Sequence, residues 1–177
     1  MHSVTPPAVR THIVPGVVDV VVLSSAKSAA RASVRQSARN DFPWRVLTLQ
    51  RAVGTRCTGA WEIVHGRIEA DERPEHAAVR ETLEETGLEV VSLYNITVNA
   101  FYLHKASTVQ LAIVFAAVVR DDAPVKLGLE HSASRWRSLA VASKTLAWPR
   151  EREALQHVKQ LLRTGDAGNV EDVLRVL

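Results

Sequence analysis

Three carboxylates, Glu81, Glu84 and Glu85, stand at i, i+3 and i+4 in the run Arg80-Glu-Thr-Leu-Glu-Glu-Thr-Gly87. On a helix that spacing projects all three from one face. Like charges so placed repel and weaken an isolated helix by roughly 0.2–0.5 kcal/mol per pair. A hard divalent cation would compensate them, because Mg²⁺ prefers oxygen ligands and shares its shell with waters and substrate phosphates. The plain alternative is a solvated acidic face. Pro74 suits the first turn of a helix and Gly87 its C-terminal stop, which sets the helix length. Ala77 and Ala78, one turn earlier, are read as leaving room for a bulky ligand.

The stretch Gly66 to Leu88 resembles the Nudix box: Gly, five residues, Glu, seven residues, then Arg-Glu-apolar-any-Glu-Glu-any-Gly-apolar. Gly66, Glu72, Arg80, Glu81, Glu84, Glu85, Gly87 and Leu88 fill it at the required spacings. Thr82 departs, standing where the family prefers an apolar residue, with Leu83 following where any residue is allowed. The resemblance implies an α/β fold, an α/β/α sandwich with a mixed central sheet. It also implies Mg²⁺-dependent hydrolysis of a diphosphate linkage, with Mn²⁺ able to substitute.

By position in that box, Glu81, Glu84 and Glu85 are the expected metal ligands, joined by the backbone carbonyl of His65. Arg80 would orient the cluster through ion pairing, and Glu72 would brace the loop against the helix. A further acid often lies outside the box; Glu130 is the candidate metal ligand or general base, with Asp121 and Asp122 as weaker alternatives. The catalytic set is therefore Glu81, Glu84, Arg80 and Glu130. The segment Glu130-His131…Trp136 is similar to a Nudix subgroup acting on dATP and dihydroneopterin triphosphate. That implies a nucleoside or pterin triphosphate as substrate and pyrophosphate as product. Another diphosphate-linked nucleotide, such as a dinucleoside polyphosphate or nucleotide sugar, and a non-catalytic nucleotide sensor are the alternatives.

Arg51 ends a Leu-Gln-Arg strand as many Nudix proteins do; it is either a phosphate contact or an ordinary surface arginine. A purine or pterin ring needs a stacking surface, for which Trp61, Tyr102 and Trp136 are candidates, alongside Phe101, Trp44 and Trp148. Core packing is the competing role for each.

These residues need a scaffold, and 177 residues suffice for one domain with a real core. Residues 1–10 are expected to be a flexible leader, 11–165 the Nudix domain and 166–177 an amphipathic helix. That last helix would be capped by Asn169, with Val170, Val173, Leu174 and Leu177 on its stripe. Strands are expected at Val17–Leu23, Arg45–Arg51, Leu88–Leu93, Ile96–Leu103 and Thr108–Val119. Leu111–Val119 lacks polar alternation, as a central strand buried on both faces would. A helix should begin at Pro149, carry Leu155, Val158 and Leu162, and close at Gly165.

Residues 24–44 read as a basic surface insertion, with Lys27, Arg31, Arg35 and Arg39 spaced by four. No aromatic interleaves them, so a base-stacking platform for nucleic acid is not expected. The net charge of +3 beside an acidic motif concentrates basic groups elsewhere and favours an anionic small-molecule substrate. Cys57 is the single cysteine, which excludes an internal disulfide and fits a reducing, cytoplasmic setting. No membrane span is expected. The C-terminal stripe would bury on the chain's own core or in a homodimer contact.

Overall fold

A computed structural model describes residues 10–25, 42–120 and 123–177. The leader up to residue 9, the Lys27–Arg39 stripe, Asp121 and Asp122 lie outside the described residues. In chain order the elements are β1 (His12–Ser25), β2 (Trp44–Arg51), β3 (Trp61–Glu62), β4 (Val64–Arg67), α1 (Pro74–Thr86), β5 (Val90–Leu103), β6 (Thr108–Val119), β7 (His131–Ser138), α2 (Leu139–Thr145), α3 (Pro149–Leu161) and the single turn α4 (Glu171–Leu174).

The strands form one mixed sheet in the order β3-β2-β1-β6-β5, with β4 also paired to β1 and β7 to β2. β1 and β6 run parallel at its centre, and the remaining pairs are antiparallel. Helices cover both faces, as the α/β/α reading expects. Val18, Val20, Val22 and Phe115 meet α1 through Ala77 and Ala78. Val21, Leu23, Val114 and Ala116 meet α2 and α3 through Ala142, Leu155 and Val158. Burial on both sides explains why the middle of β6, and that of β1 apart from Asp19, reads as continuous apolar sequence. Among the described residues, no helix is long and apolar enough to cross a membrane.

Several boundaries differ from the sequence reading for local physical reasons. β1 begins at His12, before Pro15 and Gly16, because a register shift between Val14 and Val17 absorbs a residue that cannot donate to the ladder. The two runs after Gly87 join as β5, with a second irregularity between Asn95 and Thr97 replacing the expected break. β7 and α2 were not foreseen. β7, His-Ser-Ala-Ser-Arg-Trp-Arg-Ser, is polar because only part of it is buried.

The C-terminal amphipathic helix is corrected to a 3-10 turn at Gly168–Val170 followed by α4. Glu171 takes hydrogen bonds from the Tyr94 hydroxyl at 2.9 Å and the Ala167 amide at 2.7 Å, and the chain then extends along β5. The Val176 amide donates to the Leu93 carbonyl at 2.8 Å, and the Leu93 amide to the Leu177 carbonyl at 3.1 Å. Those backbone pairs replace helical ones, and Val173 is left 72% exposed.

Candidate active site

The glutamate helix α1 is seated by its small residues. Ala77 and Ala78 are fully buried against the sheet, so they permit close helix–sheet packing and do not open space for a ligand. Thr82 continues that buried face. Its hydroxyl donates to the Ala78 carbonyl at 2.7 Å, which satisfies the polar group inside the helix, while Leu83 is half exposed. The departure from the box pattern is thereby accommodated. Gly87 closes the helix with φ 67°, its amide reaching the Leu83 carbonyl at 2.8 Å.

Gly66 is required by proximity. A Cβ there would overlap the Glu81 carboxylate, so the side chain of Glu81 lies directly on the β4 backbone. The carbonyl of His65 belongs to the peptide bond entering this glycine. Arg80 then ties loop to helix: its Nε and Nη2 donate to the Glu72 carboxylate at 2.9 and 2.8 Å, and Nη2 also reaches the Arg67 carbonyl at 2.8 Å. Its Nη1 lies 2.8 Å from Glu81 and 3.2 Å from Glu84. Hydrogen bonds from Arg80 and from the Glu69 amide hold the Glu72 carboxyl down at about 2.

Opposite α1, the Gly128 amide donates to the Glu85 carbonyl at 3.1 Å and the Lys126 amide to the Thr86 carbonyl at 2.7 Å. This clamp brings Glu130 and His131 to the helix. Glu81, Glu84, Glu85 and Glu130 line one cleft of about 190 Å³ together with His131. Burial, reinforced by the neighbouring charges of Glu81, Glu62 and Glu130, pushes the Glu85 carboxyl up to about 9.

Behind the cleft, Glu62 and His131, which the sequence reading did not single out, link Glu85, Arg51 and Glu130 into a chain of ionisable groups. The Oε2 of Glu85 lies 4.0 Å from His131 Nδ1, and His131 Nε2 lies 3.1 Å from Glu62. Arg51 Nη1 bridges Glu62 at 3.2 Å and Glu130 at 2.8 Å. Burial opposes the charge on Glu62, but the His131 hydrogen bond and the Arg51 charge outweigh it and hold the carboxyl below its ordinary range. Arg51 thus sits between the cleft and the adjoining cavity, consistent with its place at the end of β2.

Among the described residues, no three His, Cys, Asp or Glu side chains already meet at metal-ligand spacing, and Arg80 holds Glu81 and Glu84 toward itself. The donor set nevertheless fits a hard cation: it is all oxygen, and the buried Oε2 of Glu85 has no hydrogen-bond partner.

A cavity of about 520 Å³ adjoins, with Arg51, Arg56, Glu62, His65, Phe101, Tyr102, Trp148 and Arg150 on its walls. Of the candidate stacking residues, Tyr102 is here, as are Phe101 and Trp148. Trp61 lies under the Arg137 guanidinium, 4.6 Å from its ring centre, and does not line the cavity. Trp136 packs with the α1-side core, with Arg45 at 5.6 Å over its ring. Trp44 is anchored by its indole N–H to the Leu162 carbonyl at 3.2 Å.

Asp19, Glu62, His131 and Arg150 were missed as site residues. Asp19 carried a usable signal, since a carboxylate in the middle of an apolar strand must find a buried partner. Glu62 and His131 carried only their nearness to the box and to Glu130.

The model of the NUDIX domain matches residues 28–158. An octanoyltransferase of Myxococcus xanthus is 40% identical over 100 residues, spanning 55% of this chain and 28% of that protein. The asymmetrical bis(5'-nucleosyl)-tetraphosphatase of Rattus norvegicus is 32% identical over 108 residues, 58% of this chain and 71% of that enzyme. A NUDIX hydrolase of Listeria monocytogenes superposes with a TM-score of 0.63 at 23% identity, covering 84% of this chain and 94% of its own. With the box seated on the sheet as described and most of the chain matched, the protein belongs to the Nudix family.

Proposed function

We propose that this chain hydrolyses a diphosphate linkage in a nucleoside or pterin triphosphate and releases pyrophosphate, with Mg²⁺ as its cofactor and Mn²⁺ as a substitute. The observation that carries the reading is the buried, unpartnered Oε2 of Glu85 in a cleft shared with Glu81, Glu84 and Glu130. Those four carboxylates and the His65 carbonyl would hold the cation. When bound, it would neutralise phosphoryl charge and lower the pKa of a bound water.

The chain's own groups set up that chemistry. Glu72 fixes Arg80, and Arg80 fixes the orientation of Glu81 and Glu84. Glu130 is exposed at the cleft rim and is the candidate proton acceptor. Arg51, released from Glu130, would turn its guanidinium to the substrate phosphates. Tyr102, Phe101 and Trp148 offer ring faces to the base or pterin. The segment Glu130-His131…Trp136 supports the dATP and dihydroneopterin triphosphate subgroup.

A second reading, cleavage of a dinucleoside polyphosphate, is favoured by the likeness to the rat tetraphosphatase and by the three arginines around the cavity. The test is a panel of nucleoside triphosphates, dihydroneopterin triphosphate and dinucleoside polyphosphates, assayed with Mg²⁺ and with EDTA and with the products identified. The Glu84→Gln variant should lose turnover by ~10³-fold, the effect of several kcal/mol of lost charge stabilisation. Release of neither phosphate nor pyrophosphate from any member would sink the proposal.

A further inference from the structure

Asp19 is fully buried in β1, on the face that meets α3. Nothing in the diphosphate chemistry uses it, yet a buried carboxylate is costly unless paired and hydrogen-bonded. It has two partners, both on the cavity wall. Its Oδ1 lies 2.6 Å from His65 Nδ1, directly across the β1–β4 pairing, where Asp19 faces His65 in register. Its Oδ2 accepts from Arg150 Nε at 2.9 Å, and Oδ1 from Arg150 Nη2 at 3.4 Å.

Both partners present their remaining edge to the cavity. The hydrogen bond at Nδ1 orients the His65 ring, and the ring is one-third exposed. Arg150 is braced on its flanks, 4.6 Å over the Phe101 ring and 5.8 Å over Trp148. Its carbonyl also takes the Asn99 amide at 3.0 Å. The guanidinium has little freedom left. Glu151, the next residue, is buried with neither oxygen hydrogen-bonded, and its Oε1 lies 3.8 Å from Arg150 Nη2. Burial first, then the nearby Asp19 charge, pushes its carboxyl well up. Among the described residues, Asp19 is the carboxylate that pairs with both His65 and Arg150 on this wall, and Arg51 and Arg56 add two more guanidiniums to the same cavity.

We infer that Asp19 is a positioning residue that presents His65 and Arg150 as a paired donor site for a second phosphate of the substrate, outside the diphosphate cleaved at the carboxylate cleft. This rests on the proposed diphosphate hydrolysis and narrows its substrate class. A rigid guanidinium beside an imidazole suits a phosphate, whose oxygens accept from both. A ligand lacking that phosphate would lose the charge-assisted contacts, and a site built on such polar contacts discriminates against the analogue that lacks the group.

The experiment uses substrates matched except for one phosphate: NADP⁺ against NAD⁺, coenzyme A against dephospho-coenzyme A, and adenosine tetraphosphate against ATP. For at least one pair, wild-type kcat/KM should favour the phosphate-richer member by ~10-fold or more, the worth of a charge-assisted hydrogen bond. Arg150→Gln, His65→Gln and Asp19→Asn should each pull that ratio toward one. A merely structural role would lower both members together and leave the ratio unchanged. His65→Gln alters a partly exposed side chain, so it keeps the test valid if Asp19→Asn fails to fold. Ratios near one in the wild type for every pair, or ratios unmoved in the variants, overturn the inference while leaving the hydrolase reading intact. Absence of Mg²⁺-dependent turnover on every substrate overturns both.

Discussion

The carboxylate cleft and the cavity wall use the same kinds of charge in opposite ways. In the cleft, Glu72, Glu81 and Glu84 gather around one guanidinium, Arg80. On the wall, one fully buried carboxylate, Asp19, holds the His65 ring and the Arg150 guanidinium at the edge of the cavity. The first arrangement concentrates negative charge where the proposed cation would sit. The second sets hydrogen-bond donors where the proposed second phosphate would sit. The difference teaches that the two sites have different tolerances: the cleft depends on proximity to a glycine, the wall on a closed buried ion pair.

That contrast can be broken at the wall first. Asp19→Ala leaves Arg150 without its buried partner and should cost about 3 kcal/mol or more in urea unfolding. The paired change Asp19→Leu with Arg150→Met should recover most of that loss, because well-packed apolar replacements of buried ion pairs are often neutral. A double variant as unstable as the single one would show that packing, not the charge, sets the cost.

At the cleft, Gly66→Ala places a methyl on the Glu81 carboxylate. It should cost ~1–3 kcal/mol by overpacking and displace Glu81, so Mg²⁺-dependent turnover falls with thermal stability. An alanine variant of unchanged stability and turnover would refute the close approach.

Acidification sharpens the comparison further. The Glu72 carboxyl is lowered from 4.5 to about 2 in the folded protein. Its bracing of Arg80 is therefore fully present above the unfolded value of 4.5 and is lost as pH falls from there through about 2. Acid titration followed by circular dichroism should show a stability loss in that window that is reduced in Glu72→Gln. The smallest effect is expected from Thr82→Val, which keeps the buried shape and gives up one helix-internal hydrogen bond. It should stay within about 1 kcal/mol of wild type in the same unfolding assay.

Legibility followed the distance along the chain over which each site is assembled. Glu81, Glu84 and Glu85 lie on one helix, so their spacing alone placed them together, and Pro74 and Gly87 marked that helix correctly. The central place of β6 was readable too, because burial on both faces leaves it without polar alternation. The Asp19–Arg150 pair is separated by 131 positions and joins a strand to a helix start, which no local period encodes. β7 escaped notice because a half-buried strand of Ser, Arg and His carries the composition of a loop. The roles of Ala77 and Ala78 were misjudged because a helix face is defined only once its sheet is in place. The aromatic residues divided for the same reason: Tyr102 reached the cavity, whereas Trp61 and Trp136 found arginine partners elsewhere.

The lacing of the last residues to Leu93 bears on how this molecule behaves in a crowded solution. β5 is the end strand of the sheet and 14 residues long; one edge pairs with β6 throughout, and among the described residues the backbone of its outer edge is stitched only near Leu93 and Tyr94. A long outer strand with bare amides and carbonyls is a template for a stranger's backbone. The Val176 and Leu177 contacts therefore act as a selvedge, closing the weave at one end so that neighbouring molecules do not knit onto it. Shortening the chain by those residues would be felt as clouding on storage well before it was felt as a change in chemistry.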